Sequence, residues 1–420
     1  MATDKPKKDA KNQKKEPKGE DFGDNIRLGE LAPTVARNAA IVGVAALVLS
    51  VVLGMMAGDD YRRFFHSYLT AFAWILTVGI GALWWLTLQH LVNAKWSIVL
   101  RRIAELFATN APLLGLLALP IVATLLTHNP VLYEWADHDK VHADHLLHHK
   151  SPYLNPTFFA IRFVIYFGFW TLLSRYFFKT SLGQDSSGKA ELVGNMRRTA
   201  GPAMIAIALT LTFCAIDFFM SLEARWYSTM FGVYFFASCV LAINSTFVLT
   251  MAWLQSKGRM TKSITVDHYH DVGKMMFAFT VFWAYVGFSQ FMLIWYANIP
   301  EETMWFKERF AGGWGTLSWV LLFGHFMIPF FGLLSRQVKR HKKALTFWAV
   351  WVLVMIYADM YWLVMPALKT ESPEFGLIDF TCWIGMIGLF IAGAAYRARS
   401  VNLLPTKDPR LEKSLAFENL

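Results

Sequence analysis

Ten apolar stretches, each near twenty residues long, leave this chain little choice of architecture. They run over residues 37–57, 67–91, 99–126, 157–178, 201–220, 230–254, 273–297, 315–336, 343–366 and 376–396. A helix rises about 1.5 Å per residue, so about 20 apolar residues cross the roughly 30 Å hydrocarbon core of a bilayer. Open strands cannot satisfy their N–H and C=O groups in lipid, so each stretch is predicted to be a helix. The fold class that follows is all-α integral membrane, with ten transmembrane helices. Composition agrees, with 55% of the 420 residues hydrophobic and 17% charged, against about 25% charged in soluble domains.

A formal charge of +10 raises the question of nucleic acid, and its distribution answers it. The densest basic run lies in the segment ATDKPKKDAKNQKKEPKGEDFGDN, too poor in apolar residues to build a core. Residues 1–36 therefore read as a flexible, Lys-rich arm that meets lipid or docks a subunit, with no nucleic-acid partner. The arm also lacks the short apolar segment and cleavage site of a signal peptide. With the arm in the cytoplasm, only Arg62, Arg63, Lys140, Lys150, Arg162, Arg225, Lys307, Arg309 and Lys369 of the 40 Lys and Arg residues fall on the outer side. Positive charge marks the cytoplasmic side, which predicts both termini cytoplasmic, a membrane domain over 37–396 and a cytoplasmic tail over 397–420. Cys214, Cys239 and Cys382 lie far apart inside apolar stretches and read as small buried hydrophobes.

Between the third and fourth stretches, LYEWADHDKVHADHLLHHKSPYLN holds His138, His142, His145, His148 and His149. Four of them, at 138, 142, 145 and 149, recur at helical spacing and would share one face. Imidazoles so arranged can bind a transition metal. No cysteine joins them, however, and Asp137, Asp139 and Asp144 favour a solvated, pH-sensitive docking segment; no metal site is expected. The outer loops NIPEETMWFKERF (298–310) and LKTESPEF (368–375) read as further docking surfaces or as plain solvated loops.

Ionisable residues at membrane depth are costly and are functional candidates by default. Toward the outer side these are His66, Arg162, Asp217, Asp359 and Asp379; toward the inner side, His90, Arg101, Arg102, Glu105 and Lys274; near mid-membrane, His325. Snorkelling to the headgroups is the simpler account of Arg101, Arg102 and Lys274. Arg162 lies too deep in FFAIRFVIYFGFW for that, and Asp217 on the next helix is its natural partner. A haem would need facing histidines at depth, and only His325 is deep. With no CxxC or CxxCH motif either, no haem or iron-sulfur cluster is expected on this chain.

Three stretches carry a resemblance: HKSPYLNPTFFAIRFVIYF (149–167), AIDFFMSLEARWYSTMFGVYFF (215–236) and GKMMFAFTVFWAYVGFSQFMLIWYANIPEE (273–302). The chain resembles the ten-helix membrane subunits of bacterial alternative complex III, within the NrfD-like, polysulfide-reductase membrane-subunit family. Its length, short loops and Lys-rich arm look more like the smaller of that complex's two such subunits. The resemblance implies helices 2–5 and 6–9 as two four-helix bundles flanked by helices 1 and 10. It implies a respiratory quinol:electron-acceptor oxidoreductase in the bacterial inner membrane. Its implied partners are an iron-sulfur subunit, c-type haem subunits, a homologous ten-helix subunit, lipids and a terminal oxidase.

Within that frame three roles stand open. His66, Arg162 and Asp217 are candidates for a quinone site, menaquinone being the implied cofactor. His90, Glu105, His325, Asp359 and Asp379 are candidates for a proton path. Alternatively, the chain is a structural anchor whose buried charges only pack helices. An independent transporter is disfavoured, since paired Gly/Pro-broken helices at mid-depth are lacking.

Overall fold

Lipid offers the backbone no hydrogen-bond partners, so the chain supplies its own, in ten long helices. The computed structural model describes residues 23–419; most of the Lys-rich arm, residues 1–22, and residue 420 lie outside the described residues. The spans are α1 (Leu31–Ala57), α2 (Arg62–Leu91), α3 (Ile98–Leu126), α4 (Pro156–Ser187), α5 (Glu191–Phe218), α6 (Phe231–Ser256), α7 (Val266–Ala297), α8 (Gly312–Leu334), α9 (Lys342–Leu368) and α10 (Leu377–Ala398). All ten are long and apolar enough to cross a membrane. The element type matches expectation, but α1, α5 and α7 begin earlier and α4 ends later than the apolar stretches do. Hydrophobicity marks only the lipid-buried part of a helix, whereas hydrogen bonding and caps decide its ends. Asn155 caps α4 by accepting from Phe158 N at 2.8 Å, with Pro156 in the first turn. Gly188 closes α4 in the left-handed region, at φ 68°.

The described ends meet on one face, hereafter the termini face. Leu403 N donates to Ile26 O at 2.7 Å, and Met260 N to Asn25 O at 3.0 Å. Asp24 accepts from the backbone N–H groups of Thr261, Lys262 and Ser263 at 2.8 to 3.0 Å. The first eight described residues of the expected arm, 23–30, therefore are not loose: they are tied to the α6–α7 loop and to Leu403. The C-terminal segment is equally anchored, with Leu403, Leu404, Asp408, Leu411 and Ser414 buried.

At the centre stands α2, buried over 94% of its most apolar window, while α1 at the periphery is 17% buried. Helices α1, α3, α4, α5, α6, α9 and α10 all touch α2. Small residues set these crossings, because helices in lipid associate through close packing and gain little from hydrophobicity itself. A Cβ on Gly81 would lie 2.2 Å from Cys239 O of α6. At the α1–α10 seam, a Cβ on Gly43 would meet Leu389 N at 2.8 Å, and one on Gly388 would meet Gly43 Cα at 2.7 Å.

Two spans depart from regular geometry. In α3 the helix breaks at Thr109–Asn110, and Asn110 Nδ2 donates across to Phe390 O of α10 at 2.9 Å. In α8 residues Leu321–Met327 form a π-helical turn. Pro329 has no N–H to give the carbonyl five residues back, that of Gly324; Trp351 Nε1 of α9 donates to it instead, at 2.7 Å.

The close crossing of α2 and α6 generates a prediction. Gly81→Val should destabilise the fold by more than the ~1–3 kcal/mol of an ordinary overpacked site, since a backbone oxygen cannot rotate away. Thermal unfolding in detergent should show this, with Gly168→Val, where a Cβ meets nothing within 4 Å, close to wild type.

Candidate functional site

A carboxyl group deep among helices needs donors, and the sequence around α6 and α7 supplies them for Asp359. Tyr234 and Ser238, four apart on α6, share one helix face. Tyr234 Oη donates to Asp359 Oδ1, Ser238 Oγ to Oδ2 at 3.2 Å, and Trp283 Nε1 of α7 to Oδ2 at 3.1 Å. Both Asp359 and His325 are completely buried. Among the described residues no basic side chain pairs with Asp359. Its proton occupancy is thus set by a contest between desolvation, which favours the neutral acid, and three donors, which favour the carboxylate. The other face of this arrangement is His325 in the π-turn of α8, its ring 4.0 Å from that of Trp283. Neither ring nitrogen of His325 has a hydrogen-bond partner. A π-turn is a common site of function, and a buried polar group left unpaired needs an explanation. Asp359 and His325 thus both contact the same indole, one through the Nε1 hydrogen bond and the other through its ring.

The Arg162–Asp217 pairing expected from sequence is present. Arg162 Nε and Nη2 reach Asp217 Oδ2 and Oδ1 at 2.7 and 3.0 Å, and Tyr166 Oη donates to Oδ2 at 2.8 Å. The guanidinium also stacks on Tyr153 at 3.9 Å and donates to Tyr153 O at 3.0 Å. Asp217 is therefore held by a two-pronged ion pair and a phenol, the geometry of a pin between α4 and α5. His66 does not join it. Its Nδ1 contacts Arg62 O at 2.8 Å, its Nε2 is unpartnered, and no hydrogen bond or ring contact among the described residues links it to Arg162 or Asp217.

The proton-path candidates fall into three separate clusters. Asp379 caps its own helix, accepting from Gly376 N at 2.8 Å, and also binds Ser67 Oγ at 2.7 Å and Arg63. Glu105 belongs to a buried network at the termini face, with Arg102 Nη1 at 3.2 Å and Arg101 Nε at 3.4 Å. Arg102 also pairs with Asp185 and Arg101 with Asp408, while Arg410 donates to Asp408 at 2.9 and 3.0 Å. Three arginines face three carboxylates. The snorkelling expected of Arg101 and Arg102 is overturned: both are buried, because carboxylates from α4 and the C-terminal segment close over them. Lys274 is half exposed and pairs with Asp271. His90 stacks on Phe177 at 5.0 Å, with Nε2 unpartnered.

The histidine stripe is also corrected. Two short helices, His138–Ala143 and His145–Lys150, replace the single face, because Asp144 is extended and caps the second one by accepting from Leu146 N at 2.8 Å. His138 and His142 remain neighbours, Nε2 to Nε2 at 3.3 Å. All five histidines are exposed. Among the described residues no group of three or more His, Cys, Asp or Glu is arranged to hold a metal ion.

Arg309, read from sequence as one more outer basic residue, is buried, and among the described residues no carboxylate pairs with it. It stacks 3.6 Å from Trp305 and donates to Trp305 O and Leu363 O, each at 3.1 Å. Burial pushes its guanidinium down to about 9, against the pull of Glu223 and Glu308. The one sequence signal was the W-x-x-x-R spacing, which places ring and guanidinium on one helix face.

Two measurements probe these clusters. Asp217→Ala should cost about 3–5 kcal/mol, read by thermal unfolding, because it strands the Arg162 charge. Asp408 is penalised by burial, yet hydrogen bonds from Arg410 and the charge of Arg101 bring its carboxyl down to about 2. A depressed folded value means the tie is fully present above the unfolded value near 4 and is lost as pH falls toward 2. Proteolytic cleavage of 399–419 should therefore accelerate between pH 4 and 2 in wild type, and already be fast at neutral pH in Asp408→Ala. Compared with known proteins, the chain matches no family model and no curated relative.

Proposed function

We propose that this chain is the membrane subunit of a respiratory quinol:electron-acceptor oxidoreductase of the alternative complex III type, and that its contribution is transmembrane proton conduction. The reading includes spans 2–5 and 6–9 as two bundles flanked by α1 and α10, both termini in the cytoplasm of a bacterial inner membrane, and peripheral iron-sulfur and c-type haem partners. The observation that carries the proton role is Asp359: completely buried, without a counter-ion among the described residues, and in contact with the same indole as His325, which has no hydrogen-bond partner among them. Intramembrane carboxylates and imidazoles of this kind mark proton relays. Glu105 and His90 would load the relay from the termini face, with buried water bridging the gaps between clusters, and Asp379 would lie toward the exit.

Quinone binding at His66, Arg162 and Asp217 is the weaker reading, since Asp217 is already engaged by Arg162 and Tyr166 and His66 stands apart. A structural anchor is the second reading, favoured by the Arg162–Asp217 and Arg63–Asp379 pairs.

The test is Asp359→Asn in the purified complex reconstituted into vesicles. The amide keeps the shape and accepts from Tyr234 but cannot titrate. Quinol oxidation should continue while acidification coupled to turnover falls at least tenfold. His325→Leu should behave alike. Normal acidification in both variants leaves the anchor reading.

A further inference from the structure

We propose that an apolar cleft at the termini-face half of the membrane domain is a lipid site, holding one acyl chain of an anionic glycerophospholipid whose phosphate meets Arg259. The cleft is a cavity of about 570 Å³ walled by Trp74 and Val78 of α2, Ile103 of α3, Leu249 of α6, Leu353 of α9 and Ile391 of α10. That volume falls within the roughly 300–1,000 Å³ of ordinary ligand pockets. It opens sideways to the bilayer, where Val350, Val354 and Ile391 on its wall are exposed.

The chemistry of the wall selects the occupant. Its threonines and Trp74 are already satisfied: Thr246 and Thr250 Oγ1 donate to carbonyls of their own helix at 2.8 Å, and Trp74 Nε1 donates to Leu353 O at 2.9 Å. The unpartnered Trp383 Nε1 is itself enclosed. A quinone headgroup would thus find no hydrogen bond here, and water would find too few partners. A hydrocarbon chain requires none. Since lipid is as apolar as leucine, the gain from filling the cleft is dispersion contact that an empty cavity forfeits.

The mouth supplies the headgroup contact. Leu28, Leu254 and Leu403 line the cleft at its termini-face end. Arg259 N donates to Leu254 O at 2.9 Å, and Arg259 Nη2 would lie 3.9 Å from a Cβ on Gly29, the neighbour of Leu28. Arg259 Nε is buried and unpartnered, and among the described residues no carboxylate pairs with this guanidinium. A phosphate is the group that such a fork lacks. The proposal is independent of the proton role.

Native mass spectrometry of the full chain in mild detergent tests it, with phosphatidylglycerol, phosphatidylethanolamine and menaquinone added separately after delipidation. Wild type should retain one phospholipid and prefer phosphatidylglycerol about fivefold, the effect of one arginine beside an anionic headgroup. Leu249→Trp, which fills the cleft, should abolish retention. Arg259→Gln should keep one lipid but bind the two phospholipids equally, and this variant decides the matter if Leu249→Trp does not fold. Retention unchanged by Leu249→Trp, equal preference in wild type, or menaquinone as the retained molecule would each overturn the proposal.

Discussion

The cost of charge in a low-dielectric slab governs this structure. Taking an ion out of water costs several kcal/mol even after relaxation, so every buried charge must be met by a partner that some other helix has to bring. Arg162 draws α4 to α5 through Asp217, and Arg63 draws α2 to α10 through Asp379. The termini-face network goes further, since Asp408 comes from beyond the last span and seals Arg101 beneath the C-terminal segment. Helices that hydrophobicity alone would leave free to slide are thereby held in register.

Where a charge-capable group lacks such a partner, the same cost points to function. Among the described residues Asp359 has hydrogen bonds and no cation, and His325 has neither. The π-turn that presents His325 is itself a departure from the best helix geometry, supported by Trp351 on the neighbouring span. Arg309 shows the contrasting solution, in which an aromatic face and two carbonyls replace a carboxylate.

Backbone contact at the small residues sets the frame in which these groups meet. Gly81 lets α2 lie against the carbonyl of Cys239, and α2 is the axis touched by seven other spans. The seam of Gly43 with Gly388 attaches α1 to α10, and the mostly lipid-facing α1 then forms one wall of the apolar cleft through Val35.

Ten helices, their order and their approximate limits were legible in the sequence, because hydrophobic length in a bilayer is a local property that no tertiary contact overrides. The Arg162–Asp217 pair was legible too, since a deep arginine on one helix and an aspartate on the next leave few alternatives. The histidine stripe misled because periodicity carried no weight against Asp144, whose side chain caps a new helix and breaks the face. Arg101 and Arg102 misled because their carboxylates come from Asp185 and Asp408, remote in sequence. The sequence by itself determined which segments cross the membrane and which polar residues travel with them. Only the tertiary structure decided which of those residues meet, separating His66 from Asp217 and bringing Asp359 and His325 to one indole, because a partner across helices is chosen by packing and leaves no periodic trace along the chain.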